Sequence, residues 1–136
     1  MAKLKLEIFT PEGVAYSKDV DMVRMPTESG EIGVYAKHAP MLTRVLHGEI
    51  VARNGGESEH LAVGEGFAEV SPTAVRVIVD MAIEDKHIDE GIVEEAVKKA
   101  QARLAEPHLS EEEVAVVQAA LQKSMAKLKV KRRRRG

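Results

Sequence analysis

Residues 50–63 read Ile50-Val51-Ala52-Arg53-Asn54-Gly55-Gly56-Glu57-Ser58-Glu59-His60-Leu61-Ala62-Val63, and the middle of this stretch decides what the N-terminal part is. Apolar runs flank Asn54-Gly55, a pair that tolerates the positive φ of a tight hairpin turn. Working outward, the same punctuation recurs. Leu4, Leu6 and Ile8 alternate with Lys3, Lys5 and Glu7, the period of two of a half-buried strand. Pro11-Glu12-Gly13 turns the chain, and residues 20–25 form a second β-type run closed by Pro26. Gly64-Glu65-Gly66, residues 67–70, Ser71-Pro72-Thr73 and residues 74–81 add further strand and turn units. Many short strands at this spacing predict a sandwich or barrel over residues 1–84.

The period changes after Asp85. Ile88-Asp89 stands where a helix N-cap belongs, with Glu90, Glu94 and Glu95 in the early turns, where acidic groups suit the helix dipole. Val93, Val97, Ala100 and Leu104 repeat at four-three-four spacing, the stripe of an amphipathic helix. Residues 106–109 break it. Ser110-Glu111-Glu112-Glu113 reads as a capping box, and Val114, Val117, Leu121, Met125 (or Ser124) and Leu128 form a second stripe. Two such helices joined by a short break predict an antiparallel hairpin over residues 85–136. The fold class expected is therefore α+β, a β-sandwich followed by a two-helix hairpin. Both stripes are narrow and rich in Val and Ala, so the hairpin needs the β-domain or a partner to stay folded back.

With 136 residues and 44 % hydrophobic content the chain can bury a core. Phe9, Tyr16, Tyr35 and Phe67 are its only aromatics, so Val, Ile, Leu, Met and Ala must build that core. There is no cysteine, which fits a reducing compartment. No apolar run approaches a bilayer span and the first residues lack a signal-peptide pattern, so a soluble intracellular protein without direct membrane insertion is expected. The net charge of -2 conceals an asymmetry. Residues 1–86 carry 9 Lys or Arg against 14 Asp or Glu, and residues 87–136 carry 11 against 8. Residues 114–136 hold 8 basic residues and no acidic one: Lys123, Lys127, Lys129, Lys131, Arg132, Arg133, Arg134 and Arg135. Such a block marks a segment for an acidic partner or a solvated helix end. Nucleic acid is the alternative partner, giving a β-sandwich module with a basic helical tail. No aromatic is interleaved with the cations and the rest of the chain is acidic, so no nucleic acid is expected.

Catalytic machinery is missing from the pattern. His38, His47, His60, His87 and His108 show no metal-ligand spacing, and Gly64-Glu65-Gly66 lacks the third glycine of a dinucleotide fingerprint. No phosphate-cradling loop and no nucleophile elbow occur, so a noncatalytic protein with no metal and no cofactor is expected. The informative segment is instead residues 29–42, Ser-Gly-Glu-Ile-Gly-Val-Tyr-Ala-Lys-His-Ala-Pro-Met-Leu. Gly30, Gly33 and Pro40 forbid a helix, Ile32, Val34 and Tyr35 supply apolar anchors, and Glu31, Lys37 and His38 form a polar rim. That is a strand and turn presenting a contact surface.

This segment, together with Thr10-Pro11-Glu12-Gly13, residues 62–70 (Ala-Val-Gly-Glu-Gly-Phe-Ala-Glu-Val) and Ile88-Asp89, resembles the epsilon subunits of bacterial F-type rotary ATP synthases. The resemblance spans nearly the whole chain. It implies a noncatalytic rotor subunit at the cytoplasmic face of the membrane, held there peripherally through the complex and driven by protons (or sodium). Its β-domain would bind the gamma subunit and the c-ring, with Glu31 and His38 matching the family's ring-contact residues. Ala36-Lys37 departs from the Pro-Gly often found at that turn. The hairpin would switch to an extended state that inhibits ATP hydrolysis, the basic cluster from Lys123 to Arg135 meeting an acidic segment of the beta subunit. Some members bind ATP through Ile/Leu-Asp-x-x-Arg-Ala. Here Ile88 and Asp89 match, but Ile92 and Val93 replace the arginine and alanine, leaving Lys99 and Arg103 as phosphate partners. Weak or absent ATP binding is expected, because a bidentate arginine has no equivalent in isoleucine.

Overall fold

The computed structural model describes residues 2–135, and the side chains of Arg134 and Arg135 lie outside what is described. Ten strands precede two helices: β1 (Leu4–Thr10), β2 (Gly13–Val20), β3 (Met22–Thr27), β4 (Gly30–Tyr35), β5 (Met41–Val45), β6 (Gly48–Asn54), β7 (Glu57–Val63), β8 (Gly66–Val70), β9 (Ala74–Val79), β10 (Ala82–Glu84), α1 (Glu90–Leu104) and α2 (Glu111–Arg135). A single 3₁₀ turn, Asp85–His87, joins the two parts. The hydrogen-bonded path runs β10-β7-β6-β3-β5-β8-β9-β1-β2, with β4 paired to β3 beside it. It bends over one core so that its ends meet, as in a sandwich: from β2, the Tyr16 hydroxyl donates to Glu59 on β7 at 3.0 Å and Lys18 pairs with the same carboxylate at 2.8 Å.

Alternation places Leu4, Leu6, Ile8, Val23, Met25, Val34, Val45, Ile50, Leu61, Val63, Val75 and Val77 in this core. As expected, β6 and β7 form the Asn54-Gly55 hairpin, and Gly55 adopts φ +65°. β3 differs from expectation, because it continues through Pro26 to Thr27. The reason is local: β3 pairs with β6 as far as Arg24 and with β5 only at Thr27. Pro26, which has no N–H to give, sits where the strand changes neighbours, and its carbonyl accepts from Leu46 at 3.0 Å.

Close approach of backbone requires Gly66, whereas Gly64 gives room to a side chain. A Cβ at Gly66 would lie 1.8 Å from the Ile78 carbonyl oxygen, where β8 meets β9, and one at Gly64 would lie 1.7 Å from Asp80 Oδ1.

The hairpin forms as the stripes predict. Asp89 caps α1 by accepting from the Ile92 N–H at 3.1 Å. Ser110 and Glu113 make the reciprocal box, Glu113 N–H to Ser110 Oγ at 3.1 Å and Ser110 N–H to Glu113 Oε1 at 3.3 Å. Val93, Leu128 and Val130 join Ala62 and Ile88 in a second apolar cluster against β7. Of the two candidates left open on α2, Ser124 is the half-buried one and Met125 remains 51 % exposed. Ala126 and Val130 are buried as well, although off the predicted stripe. Here α2 packs on α1 and on the β-domain at once, which widens its buried arc beyond the seam of a simple hairpin.

Candidate functional site

Residues 29–42 form β4 and a turn, but they do not bring Glu31 and His38 together. Glu31 lies near the β3–β4 tip opposite Pro26, where its carboxylate pairs with Arg24 Nε at 3.2 Å. His38 lies beyond Tyr35, at the other end of β4. At a rise of about 3.3 Å per residue, the strand separates position 31 from position 35 by about 13 Å. His38 Nδ1 is 2.7 Å from the Ala39 carbonyl, which can only accept, so Nδ1 is the donor in this contact. The turn before it is tied down by the Lys37 N–H donating to the Pro72 carbonyl at 2.7 Å. Lys37 has φ 71°, the left-handed geometry that a glycine supplies without strain. The turn therefore persists without Pro-Gly, with a lysine carrying the strain.

Four members of the basic cluster are engaged within the chain. Lys123 Nζ pairs with Asp80 at 3.2 Å, Lys131 Nζ donates to the Asp85 carbonyl at 3.1 Å, and Arg133 pairs with Glu49 at 3.0 Å. Arg132 reaches Glu90 at 3.0 Å and Glu94 at 2.6 Å. The hydrogen bonds it donates to Glu94 and then to Glu90 raise its guanidinium pKa further. Lys127 is half-buried and Lys129 exposed. Lys123 therefore does not stand free for a second protein in this structure. Sequence reading missed the partners, because nothing local links Asp80 or Glu49 to α2.

The residues matched to a nucleotide motif have structural duties here. Ile88 is 4 % exposed in the second apolar cluster and Asp89 caps α1. Arg103 is held by Glu106 and by Glu113 at 2.9 Å, while Lys99 is exposed on α1 and Ile92 is 67 % exposed. These side chains do not line one cavity. Among the described residues no group of three or more His, Cys, Asp or Glu is placed to hold a metal ion, and no helix is long and apolar enough to cross a membrane.

A feature the sequence reading overlooked is an apolar row on the outer face of the sheet. Strand pairing sets Phe67 beside Ile78, Ile78 beside Phe9, and Phe9 beside Val14. Phe67, Ile78 and Val14 are 57, 62 and 61 % exposed. The next row is charged, Glu69–Arg76–Glu7, and ends in Leu42, 72 % exposed. Helix α2 covers β6 and β7, leaving this face open. The available signal was Ile78, an apolar residue at the outward position that Arg76 occupies two residues earlier. Isolated exposed apolar residues are ordinary, whereas a contiguous row with a charged border marks a docking face.

An open apolar face on a sandwich and a basic hairpin folded on its flank give this chain the surfaces of a protein that works through contacts. The comparisons agree with that class. Residues 3–85 match the beta-sandwich domain of the ATP synthase delta/epsilon chain and residues 86–132 its long alpha-helix domain. The ATP synthase epsilon chain of Dehalococcoides mccartyi is 39 % identical over 99 % of this chain and 96 % of its own length. That of Chloroflexus aggregans is 41 % identical over 93 % and 91 %. In fold, the chain is similar to one in the cryo-EM structure of the Euglena gracilis mitochondrial ATP synthase (OSCP/F1/c-ring), with TM-score 0.77 and 22 % identity, covering 93 % of this chain and 79 % of that one. A chain of the Tetrahymena thermophila central stalk/c-ring structure matches with TM-score 0.58 and 13 % identity, covering 95 % and 96 %. The chain belongs to the ATP synthase delta/epsilon chain family, whose epsilon members are noncatalytic subunits of that enzyme.

Proposed function

We propose that this chain couples c-ring rotation to the catalytic head from the central stalk, at the cytoplasmic face of the membrane, and restrains ATP hydrolysis through its hairpin. Gamma docks across the Val14–Phe9–Ile78–Phe67 row, and Glu31 and His38 meet the c-ring at the two ends of β4. Torque passes through a rigid body, so no chemistry is asked of the subunit. The exposed row is the observation that carries this reading, because it is apolar, continuous over four strands and uncovered by the chain's own helices. Buried apolar anchors at an interface centre dominate binding. Phe67→Glu with Ile78→Glu should weaken capture by the gamma subunit about 100-fold or more by surface plasmon resonance, with the circular dichroism spectrum unchanged. Undiminished capture removes gamma from this face.

The hairpin acts by presenting Lys123, Lys127, Lys129, Lys131 and the arginines from Arg132 onward to an acidic segment of the beta subunit. Binding of ATP to the hairpin is weak or absent, since Ile88 is buried, Asp89 is spent on the cap and Ile92 stands in place of an arginine. Calorimetry at micromolar ATP should register no binding heat.

A further inference from the structure

Two of the acceptors that hold the basic end of α2 belong to the β-domain, and both are set in place by that domain. Asp80 lies with its carboxylate against Gly64 and donates its backbone N–H to the Glu65 carbonyl at 3.1 Å. Glu49, 10 % exposed, directs one oxygen to His60 Nδ1 at 3.0 Å and the other to Arg133 at 3.0 Å. Between α2 and the β-domain lies a cleft of about 690 Å³ lined by His47, Leu104, Gln118, Leu121, Met125 and Lys129, among others. Beside this cleft the attachment runs along α2 from its middle, where Lys123 pairs with Asp80, through Ala126, Leu128 and Val130 to Arg133 on Glu49. Glu31 shares a smaller cleft with Glu49, Lys129 and Arg133, so this attachment adjoins the ring-contact residue.

We infer that Glu49 and Asp80 form a docking site on the β-domain for the basic end of α2, an internal stand-in for the acidic segment of its external partner. The inference rests on the hairpin reading proposed above. The same cations cannot serve both partners, so binding outside requires release inside. Exchanging one set of exposed ion pairs for another is nearly neutral electrostatically. The small apolar contact at Ala126, Leu128 and Val130 then tips the balance toward docking, and loss of one or two pairs shifts it.

The chain has no cysteine, so Glu57→Cys and Ala120→Cys, both at exposed positions, can carry a fluorescent donor and acceptor on the full chain. In that background Glu49→Gln with Asp80→Asn should raise the undocked fraction about three- to tenfold, and lower by the same factor the concentration that half-inhibits hydrolysis by the catalytic head. Asp80→Lys alone should also undock α2, and adding Lys123→Asp should restore docking by reversing the pair. An unchanged distance distribution in the folded double variant, or no restoration by the reversed pair, overturns the docking site. Undocking with unaltered inhibition upholds the docking site and removes instead the inhibitory role of the hairpin.

Discussion

Lys37 holds a left-handed backbone conformation, φ 71°, because its N–H must reach the Pro72 carbonyl. A side chain in that region costs about 1 kcal/mol that glycine avoids. Lys37→Gly should therefore raise the urea midpoint by about 1 kcal/mol of stability with the m-value unchanged. Gly66 presents the reverse case: Gly66→Ala drives a Cβ against the Ile78 backbone, part β8 from β9 and cost more than about 2 kcal/mol by the same measurement. Asp21 supplies a pH dependence. The Gly55 N–H at 2.6 Å, and next Lys3, hold its carboxyl below the usual carboxylate range. A depressed folded pKa stabilises fully above the unfolded value, about 3.9, and that contribution is lost as pH falls through the folded value. Denaturant titrations from about pH 5 down to pH 2 should show a shallower loss for Asp21→Asn than for the parent.

Among the elements, α2 is the one whose ends obey different rules. Its N-terminus is held by the Ser110–Glu113 box, local and solvent-exposed. Ser110→Ala should cost about 1 kcal/mol and appear as faster amide exchange in the first turn of α2. Its C-terminal turns are held by burial, with Leu128 8 % exposed and Val130 1 % exposed. Removing a buried leucine side chain costs about 2–5 kcal/mol when the whole fold depends on it. Here the loss is capped by the free energy of docking, since undocking relieves it. Leu128→Ala should abolish exchange protection in α1 and α2 while leaving the β-strands protected. Such an element-sized unit of low local stability is what a switching part requires.

At the scale of the molecule there are two apolar clusters of unequal standing. The sandwich core includes Leu4, Leu6, Ile8, Val23, Met25, Ile50 and Leu61 and closes without help from the helices. The second cluster is small, Ala62, Ile88, Val93, Leu128 and Val130, and is rimmed by ion pairs. We propose that residues 1–84 constitute the stalk-binding domain and residues 85–136 the regulatory one. A chain ending at Asp85 should melt cooperatively near the parent temperature and still bind gamma, yet no longer inhibit hydrolysis. Rising salt should undock the hairpin before the sandwich is affected, because charges exposed to solvent are screened and a buried aliphatic core is not.

The sequence by itself determined what local chemistry can carry. Alternation at Leu4, Leu6 and Ile8, the Asn54-Gly55 turn, the Asp89 cap and the Ser110–Glu113 box all act within a few residues, and each appears where it was expected. Only the tertiary structure decided where the charges go. Arg132 meets Glu90 across 42 residues and Lys131 meets the Asp85 carbonyl across 46, and no periodicity encodes a pairing at that distance. It also decided which outward apolar residues line up, because Phe9, Val14, Phe67 and Ile78 become one row only through strand register. Gly64-Glu65-Gly66 shows the division most clearly: along the chain it reads only as a turn, and in the fold Gly66 is the space that the β9 backbone fills. Local propensity acts through bonds, whereas register and docking act through space, and space is fixed only once the core has closed.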